Sequence, residues 1–299
     1  MNAVPANGVL IIGCGDVGRR LAALYRAEER EVAGVVRSAE SAEALKTAGV
    51  RPLRCDLDGD DLPALPSRGA ALFYLAPPVD VGSDDVRIER LLAHFELTGP
   101  PTRFLYMSTT GVYGDCGGRW IDESAALNPA THRAQRRIAA EGAVRQWCGA
   151  RGIPWVILRV PAIYGPGRLL LERLKSGQPT VRPEQCSYTN RIHIHDLVSV
   201  CHAAMVRAPK DSIYNVSDGN PSTITDYLFK LADLTGLPRP PLISMQEAEK
   251  NLSPSLMSFL RESKRIHNLK MLEELGVRLR YPDLTTGLKA SLADEASGL

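Results

Sequence analysis

An apolar run, Val9-Leu10-Ile11-Ile12, passes directly into Gly13-Cys14-Gly15-Asp16-Val17-Gly18, and no other stretch constrains the fold as strongly. Consecutive apolar, mostly β-branched residues suit a strand buried on both faces. After the glycines, Leu21, Ala22, Leu24 and Tyr25 recur with helical period. The pattern is therefore strand, Gly-x-Gly-x-x-Gly turn, helix. One glycine makes the tight turn, the next lets a pyrophosphate approach the backbone, and the third lets helix and strand pack closely. The pyrophosphate then rests on the free N–H groups at the positive end of the helix. This unit predicts a dinucleotide site formed by Gly13, Gly15, Asp16, Val17 and Gly18.

The alternation continues beyond it. Strand-like segments at residues 31–36, 50–54, 70–75, 103–107, 155–160 and 213–216 are interleaved with helical ones at 19–29, 41–48, 84–97, 130–150 and 196–207. Such βαβ units predict an α/β, Rossmann-type, doubly wound parallel sheet of about seven strands. After Gly165 the order breaks down, punctuated by Pro166, Pro179 and Pro183, and the remainder is mostly helical. The expected division is residues 1–165 with 191–216 as the dinucleotide-binding domain, and 166–190 with 217–299 as a smaller, mostly helical C-terminal substrate lobe. That lobe is expected over the C-terminal edge of the sheet, where ligands bind in open α/β folds.

The second strand ends in Val36-Arg37-Ser38. An acidic residue there accepts from the ribose of NAD, whereas an arginine suits the 2′-phosphate of NADP. Arg37, with the Ser38 hydroxyl beside it, favours NADP over NAD. Asp56 either accepts from the adenine amino group or only shapes the turn Asp56-Leu57-Asp58-Gly59. Leu75 and Ala76, at the end of the fourth strand, complete the expected cofactor wall.

The 299 residues carry 36 Lys and Arg against 34 Asp and Glu, a net charge of +2, without the basic excess of a nucleic-acid-binding chain. No apolar run approaches the ~18 residues of a membrane span. Six scattered cysteines without Cys-x-x-Cys suggest reduced thiols and a cytoplasmic location. His193, His195 and Asp196 are a metal-ligand type, but their place before a helix favours packing histidines and an N-cap or first-turn acid, so no metal is expected. Cys116, in a glycine-rich loop, is a candidate exposed thiol. Neither a Gly-x-Ser-x-Gly elbow nor a phosphate-binding Gly-Lys-Ser/Thr is present.

Tyr106-Met107-Ser108-Thr109-Thr110-Gly111-Val112-Tyr113-Gly114, Leu158-Arg159 followed by Ile163-Tyr164-Gly165-Pro166-Gly167, Ile192-His193-Ile194-His195-Asp196-Leu197 and Tyr214-Asn215-Val216 occur in that order. Together they resemble the extended short-chain dehydrogenase/reductase superfamily, of the NAD-dependent epimerase/dehydratase type. The resemblance implies hydride transfer between a nicotinamide and a carbonyl or hydroxyl carbon of a small-molecule substrate. It places Thr109 at the catalytic Ser/Thr position. Counting back from Ala139-Ala140-Glu141, it puts Arg133 and Arg137 where the family has its catalytic Tyr and Lys. No Tyr or Lys occurs between Asp115 and Pro161, so the pattern is that of an atypical subgroup. Arginine releases no proton near neutral pH, though Arg137 can still bind the nicotinamide ribose. Tyr113, Tyr164 and His132 are the nearest substitute proton donors by sequence. Loss of the pair leaves a second reading open, a non-catalytic NADP(H) sensor or scaffold. Arg168, Arg173, Lys175 and Arg182 in the specificity loop suit an anionic substrate, and the resemblance implies a homodimer formed through the helices at 84–97 and 130–150.

Overall fold

The computed structural model describes residues 8–59, 62–79, 82 and 84–297. In chain order, its first half contains β1 (Val9–Ile12), α1 (Asp16–Ala27), β2 (Val32–Val36), α2 (Ala39–Thr47), β3 (Arg51–Arg54), β4 (Ala71–Tyr74), α3 (Val86–Thr98), β5 (Arg103–Thr109), β6 (Trp120–Ile121), α4 (His132–Gly149) and β7 (Trp155–Val160). The second contains β8 (Ala162–Tyr164), α5 (Leu171–Lys175), β9 (Thr180–Val181), β10 (Arg191–His193), α6 (Ile194–Arg207), β11 (Ser212–Asn215), α7 (Ile224–Thr235), β12 (Leu242–Ile243), α8 (Met245–Asn251), α9 (Pro254–Leu260), β13 (Arg265–Ile266), α10 (Leu269–Leu275) and α11 (Leu284–Ala296).

Seven strands form one sheet in the order β3-β2-β1-β4-β5-β7-β11, every neighbouring pair parallel. The order reverses between β1 and β4, which opens a crevice at their C-terminal ends. Side chains alternate between two cores, as the pleat requires. Val9 and Ile11 pack with α1, α6 and α10, while Leu10 and Ile12 pack with α3 and α4. That double burial explains the unbroken apolar run of β1, all four residues of which are buried.

The two edge strands end the sheet differently. On β11, the outward Ile213 carbonyl accepts from Lys270 Nζ at 3.0 Å, and the outward Asn215 N–H donates to Glu123 Oε1 at 2.7 Å. On β3, Pro52 sits at an outward position and has no N–H to offer.

The rest of the chain builds two small apolar clusters. One gathers Leu228 and Leu231 of α7, Leu284 and Leu288 of α11, Leu174 and Tyr164. The other gathers Val181, Ala248, Leu252, Met257 and Leu260. Three two-stranded parallel pairs, β8–β10, β9–β12 and β6–β13, tie these segments together. At two or three residues each, they are too short to have a readable period. α10 crosses the division expected from sequence, since Met271 and Leu275 belong to the α1–α6 core.

α6 begins two residues earlier than its periodicity suggests, and its cap is His193, whose ring accepts from the His195 N–H at 3.3 Å. Asp196 is not the cap. It lies in the first turn and accepts from the N–H groups of Arg280 and Tyr281 at 2.8 and 2.9 Å.

Candidate functional site

A cleft of about 750 Å³ opens where the strand order reverses, lined by the C-terminal ends of β1 to β5. That is within the usual size range of small-molecule sites. The three glycines do different work. Gly13 has φ +81°, and a Cβ there would stand 2.6 Å from the Ala76 nitrogen. Gly18 lies against Ile11 and Cys14, which a Cβ would meet at 3.2 and 3.3 Å. A Cβ on Gly15 would meet nothing within 4 Å, so this position faces open cleft. Val17 lines the cleft while remaining almost buried, and Asp16 begins α1. The Asp16 carboxylate accepts from Arg20 Nε at 3.0 Å and from Arg168 Nε at 2.6 Å. Burial opposes its ionisation, but these two guanidinia together hold its carboxyl below the usual range.

At the end of β2, Arg37, Ser38 and Ser41 line the same cleft. Ser38 caps α2, its Oγ accepting from the Ser41 N–H at 3.1 Å and donating to Ser41 Oγ at 2.9 Å. Ser41 was not singled out from the sequence, although a serine three residues after a capping serine is a local signal. Asp56 also lines the wall, and one oxygen accepts from the Asp58 N–H at 3.1 Å, so it shapes the turn as well. Arg87 of α3 was missed altogether. It pairs with Asp58 and donates to the carbonyls of Pro77 and Pro78 at 2.9 and 3.2 Å, joining the loops after β3 and β4. Its hydrogen bonds hold the Asp58 carboxyl below the usual range.

Leu75 and Ala76 form the opposite wall, with Met107 and Arg137. Arg137 is not a solvated helix residue. Its Nη1 reaches the carbonyls of Ala76 and Met107 at 3.3 and 3.0 Å and the Tyr106 hydroxyl at 3.0 Å. Burial pushes that hydroxyl up to about 12 despite the neighbouring guanidinium. Arg133, one turn earlier, instead lies with Cζ 4.6 Å above the Phe259 ring of α9. Thr109 ends β5 two residues beyond Met107, outside the residues lining the cleft, and its Oγ accepts from the Gly111 N–H at 3.1 Å.

None of the three substitute proton donors lines this cleft. Tyr113 is buried, donates to Asn215 at 2.8 Å and accepts from Arg159 at 2.9 Å. Burial raises its hydroxyl further. Tyr164 is buried in the second part of the chain, edge-on to His193 and Tyr227. His132 is exposed at the start of α4 and meets Gln135. Sequence proximity to the motifs misleads here: Tyr113 turns inward after β5, Tyr164 ends β8 among other rings, and His132 opens α4 at the surface.

Tyr113 belongs to a closed network that the sequence did not reveal. Glu141 of α4 accepts from Ser108 and pairs with Arg159 at 2.8 Å, and Arg159 continues to Tyr113 and Asn215. Its members come from β5 and the turn after it, α4, β7 and β11, so only the fold brings them together.

The other candidates are engaged elsewhere. His193 Nε2 meets Ser291 Oγ at 3.1 Å, and His195 Nε2 meets Arg20 at 2.8 Å. Among the described residues no group of three such side chains could hold a metal ion. Cys116 is buried rather than exposed, and burial raises its thiol. Of the specificity-loop cations, Arg168 reaches the cleft, whereas Lys175 pairs with Glu172 at the surface. Among the described residues no helix is long and apolar enough to cross a membrane.

The donor set can be tested against a dinucleotide. The wall at Gly15 leaves room at a helix N-terminus, Arg37 and two hydroxyls stand at the end of β2, and Arg137 stands across the cleft. These residues fit a diphosphate flanked by two ribosyl groups.

Residues 9–217 match the model of the NAD dependent epimerase/dehydratase family. No curated protein matches the chain. Among solved structures, the chain is similar to a functionally unknown conserved protein from Silicibacter pomeroyi, with 32% identity over 96% of this chain and 98% of that one and a TM-score of 0.83. It is similar in fold to MoeE5 in complex with UDP-glucose and NAD, with 21% identity, 97% and 99% of the two chains covered, and a TM-score of 0.77. It also shares its fold with dTDP-glucose 4,6-dehydratase from Bacillus anthracis in complex with NAD, with 15% identity, 98% and 96% covered, and a TM-score of 0.78.

Proposed function

The chain belongs to the NAD-dependent epimerase/dehydratase family, and from that premise we propose that it is an NADP(H)-dependent oxidoreductase acting on a small molecule at a carbonyl or hydroxyl carbon beside Thr109. A nicotinamide cofactor is supported by the NAD held in structural neighbours and by the cleft itself. The observation that carries NADP over NAD is the cation at the end of β2. Arg37, with Ser38 and Ser41, lines the cleft where an NAD site would set a carboxylate.

In this reading the loop from Gly13 to Gly18 receives the diphosphate, Asp56 the adenine, and Leu75 and Ala76 flank the chain of the nucleotide. Arg137 receives the nicotinamide ribose. Its Nη1 is already committed to three acceptors, which fixes the guanidinium and leaves Nε and Nη2 for a ligand. When bound, the nicotinamide supplies or accepts the hydride. Thr109 Oγ already accepts from the Gly111 N–H, so its own hydrogen is free to donate to a substrate oxygen. In the same reading the protein is an atypical member, with Arg137 at the lysine position and no tyrosine proton donor among the described residues that line the cleft. Six free cysteines suit the reducing conditions of the cytoplasm. The outer side of α3, where Leu97 is 82% and Val86 47% exposed, suits a homodimer. A single species of monomer mass by light scattering would remove that part of the reading.

The test is a titration with NADPH and, separately, NADH, followed by nicotinamide fluorescence. NADPH is expected to bind at least about tenfold more tightly, or ~1.4 kcal/mol. Absence of binding by either nucleotide at millimolar concentration would overturn the reading. Turnover is then followed as loss of NADPH absorbance against a panel of small carbonyl compounds.

A further inference from the structure

A carboxylate at the first residue of a phosphate-binding helix needs an explanation. The N-terminus of α1 favours anions, and Asp16 places one there permanently, where it would repel a diphosphate. Both of its oxygens are occupied by guanidinia, Arg20 from one turn along α1 and Arg168 from 152 residues away. The two partners differ. Arg20 also uses Nη1 on His195. Arg168 binds Asp16 through Nε alone, and its side chain makes no other hydrogen bond among the described residues. Its two terminal nitrogens are thus uncommitted.

Arg168 lines the cofactor cleft and also an adjoining hollow walled by Asp16, Arg19, Arg20 and Gly167. The loop that carries it is anchored at Arg168 and at the residue before it. The Arg168 N–H donates to the Gly165 carbonyl at 3.0 Å, and the Gly167 N–H donates to Glu295 Oε1 of α11 at 2.7 Å. A guanidinium held by Nε presents its other two nitrogens as a planar fork, the geometry that matches phosphate oxygens.

We propose that Arg168 is a ligand of the cofactor diphosphate, with Asp16 as the positioning residue that aims it. Asp16 then serves the anion indirectly: with Arg20 and Arg168 it forms a trio of net positive charge, and it fixes one edge of the Arg168 fork. The diphosphate is held from two sides, by backbone N–H groups of α1 and by a side chain from the loop leading into α5. This rests on the nicotinamide-dinucleotide reading above and adds a second contact surface to it.

The experiment compares two probes, NADPH and adenosine 2′-monophosphate, which carries the 2′-phosphate but no diphosphate. In Arg168→Ala and Arg168→Gln, NADPH is expected to weaken on the order of 10- to 100-fold, the range for a lost hydrogen bond to a charged group. Adenosine 2′-monophosphate should bind as to the wild type. Arg168→Lys should recover only part of the loss, because an ammonium lacks the fork. Asp16→Asn should weaken NADPH by a smaller factor. If the Arg168 variants bind NADPH like the wild type, or lose both probes equally with folded circular dichroism spectra, the assignment of Arg168 is overturned. Tighter NADPH binding by Asp16→Asn would overturn the positioning role. If the wild type binds adenosine 2′-monophosphate but no dinucleotide, this inference is overturned while the Arg37 assignment stands. If it binds neither, the cofactor reading fails first.

Discussion

Along β1, β2 and β3, the strand ends carry groups that face an open cleft, whereas along β5, β7 and β11 they carry groups that face one another. On the first side, Gly15 borders empty space, and Arg37 and Ser38 extend from a turn. On the second, Ser108, Glu141, Arg159, Tyr113 and Asn215 close into a chain of hydrogen bonds out of reach of solvent. The open side keeps its binding capacity for a ligand. The closed side has used up most of its own, and thereby fixes the end of β5 from which Thr109 projects. A strand end can thus belong to a binding site by what it leaves unpaired, or support one by leaving little unpaired.

The largest effect should come from opening the closed side. Glu141→Ala strips a buried guanidinium of its partner, since Arg159 and Glu141 are only 4% and 3% exposed. A loss of about 3–5 kcal/mol in urea unfolding is expected, and a loss under 1 kcal/mol would mean that the network is not the support described. Thr109→Val comes next. It should lower turnover by about 100-fold, the lower end for loss of one preorganised donor, and leave NADPH affinity unchanged. An equal fall in affinity would place Thr109 in the cofactor wall instead. On the open side, Arg37→Asp should erase a preference of about tenfold, ~1.4 kcal/mol, between NADPH and NADH without altering the midpoint of thermal unfolding. If it costs stability as well, the two sides are less independent than the contrast implies.

The smallest effect concerns pH. Burial pushes the carboxyl of Asp218, just beyond β11, up to about 7 from 3.8, against the pull of the Asn220 N–H and Arg191. The native state therefore keeps this proton where the unfolded chain has released it. The stability contribution is complete below about pH 4 and is lost as pH rises through 7. His193 acts in the opposite sense. Burial, with His195 and Arg20 nearby, holds its imidazole down to about 3 from 6.5, so its contribution is present above pH 6.5 and is lost as pH falls toward 3. Asp218→Asn removes one of these two opposing slopes, and stability against urea measured between pH 4 and 7 should then decline more steeply toward the acid side. An unchanged profile would mean that Asp218 titrates near its ordinary value.

The open side is the part that could be read from sequence. Its chemistry is local: a glycine loop lies within six residues of a buried strand, and Arg37 follows β2 directly. The sheet was equally legible, because each long strand carries its burial pattern in its own residues. What escaped was built from distance. Arg87 joins the loops after β3 and β4, Asp16 meets Arg168 across 152 positions, and Glu141 meets Arg159 only once α4 lies on the sheet. Ser41 shows a subtler limit, since its signal was present but indistinguishable from ordinary helix capping. The two tyrosines of the Val-Tyr-Gly and Tyr-Gly-Pro segments show the converse. Nearness in sequence to a motif did not become nearness to the cleft.

The two edge strands have a consequence beyond the site. Bare edges of a parallel sheet can template another copy of the chain and let association proceed strand by strand. Here the Glu123 carboxylate and Lys270 ammonium occupy the β11 edge in place of a neighbour's carbonyl and amide, and Pro52 denies the β3 edge one of the donors that an added strand would need. The sheet is finite in both directions by chemistry as well as by length. Copies of the protein that meet in concentrated solution should therefore do so through helical surfaces, and the folded state is guarded against edge-to-edge aggregation.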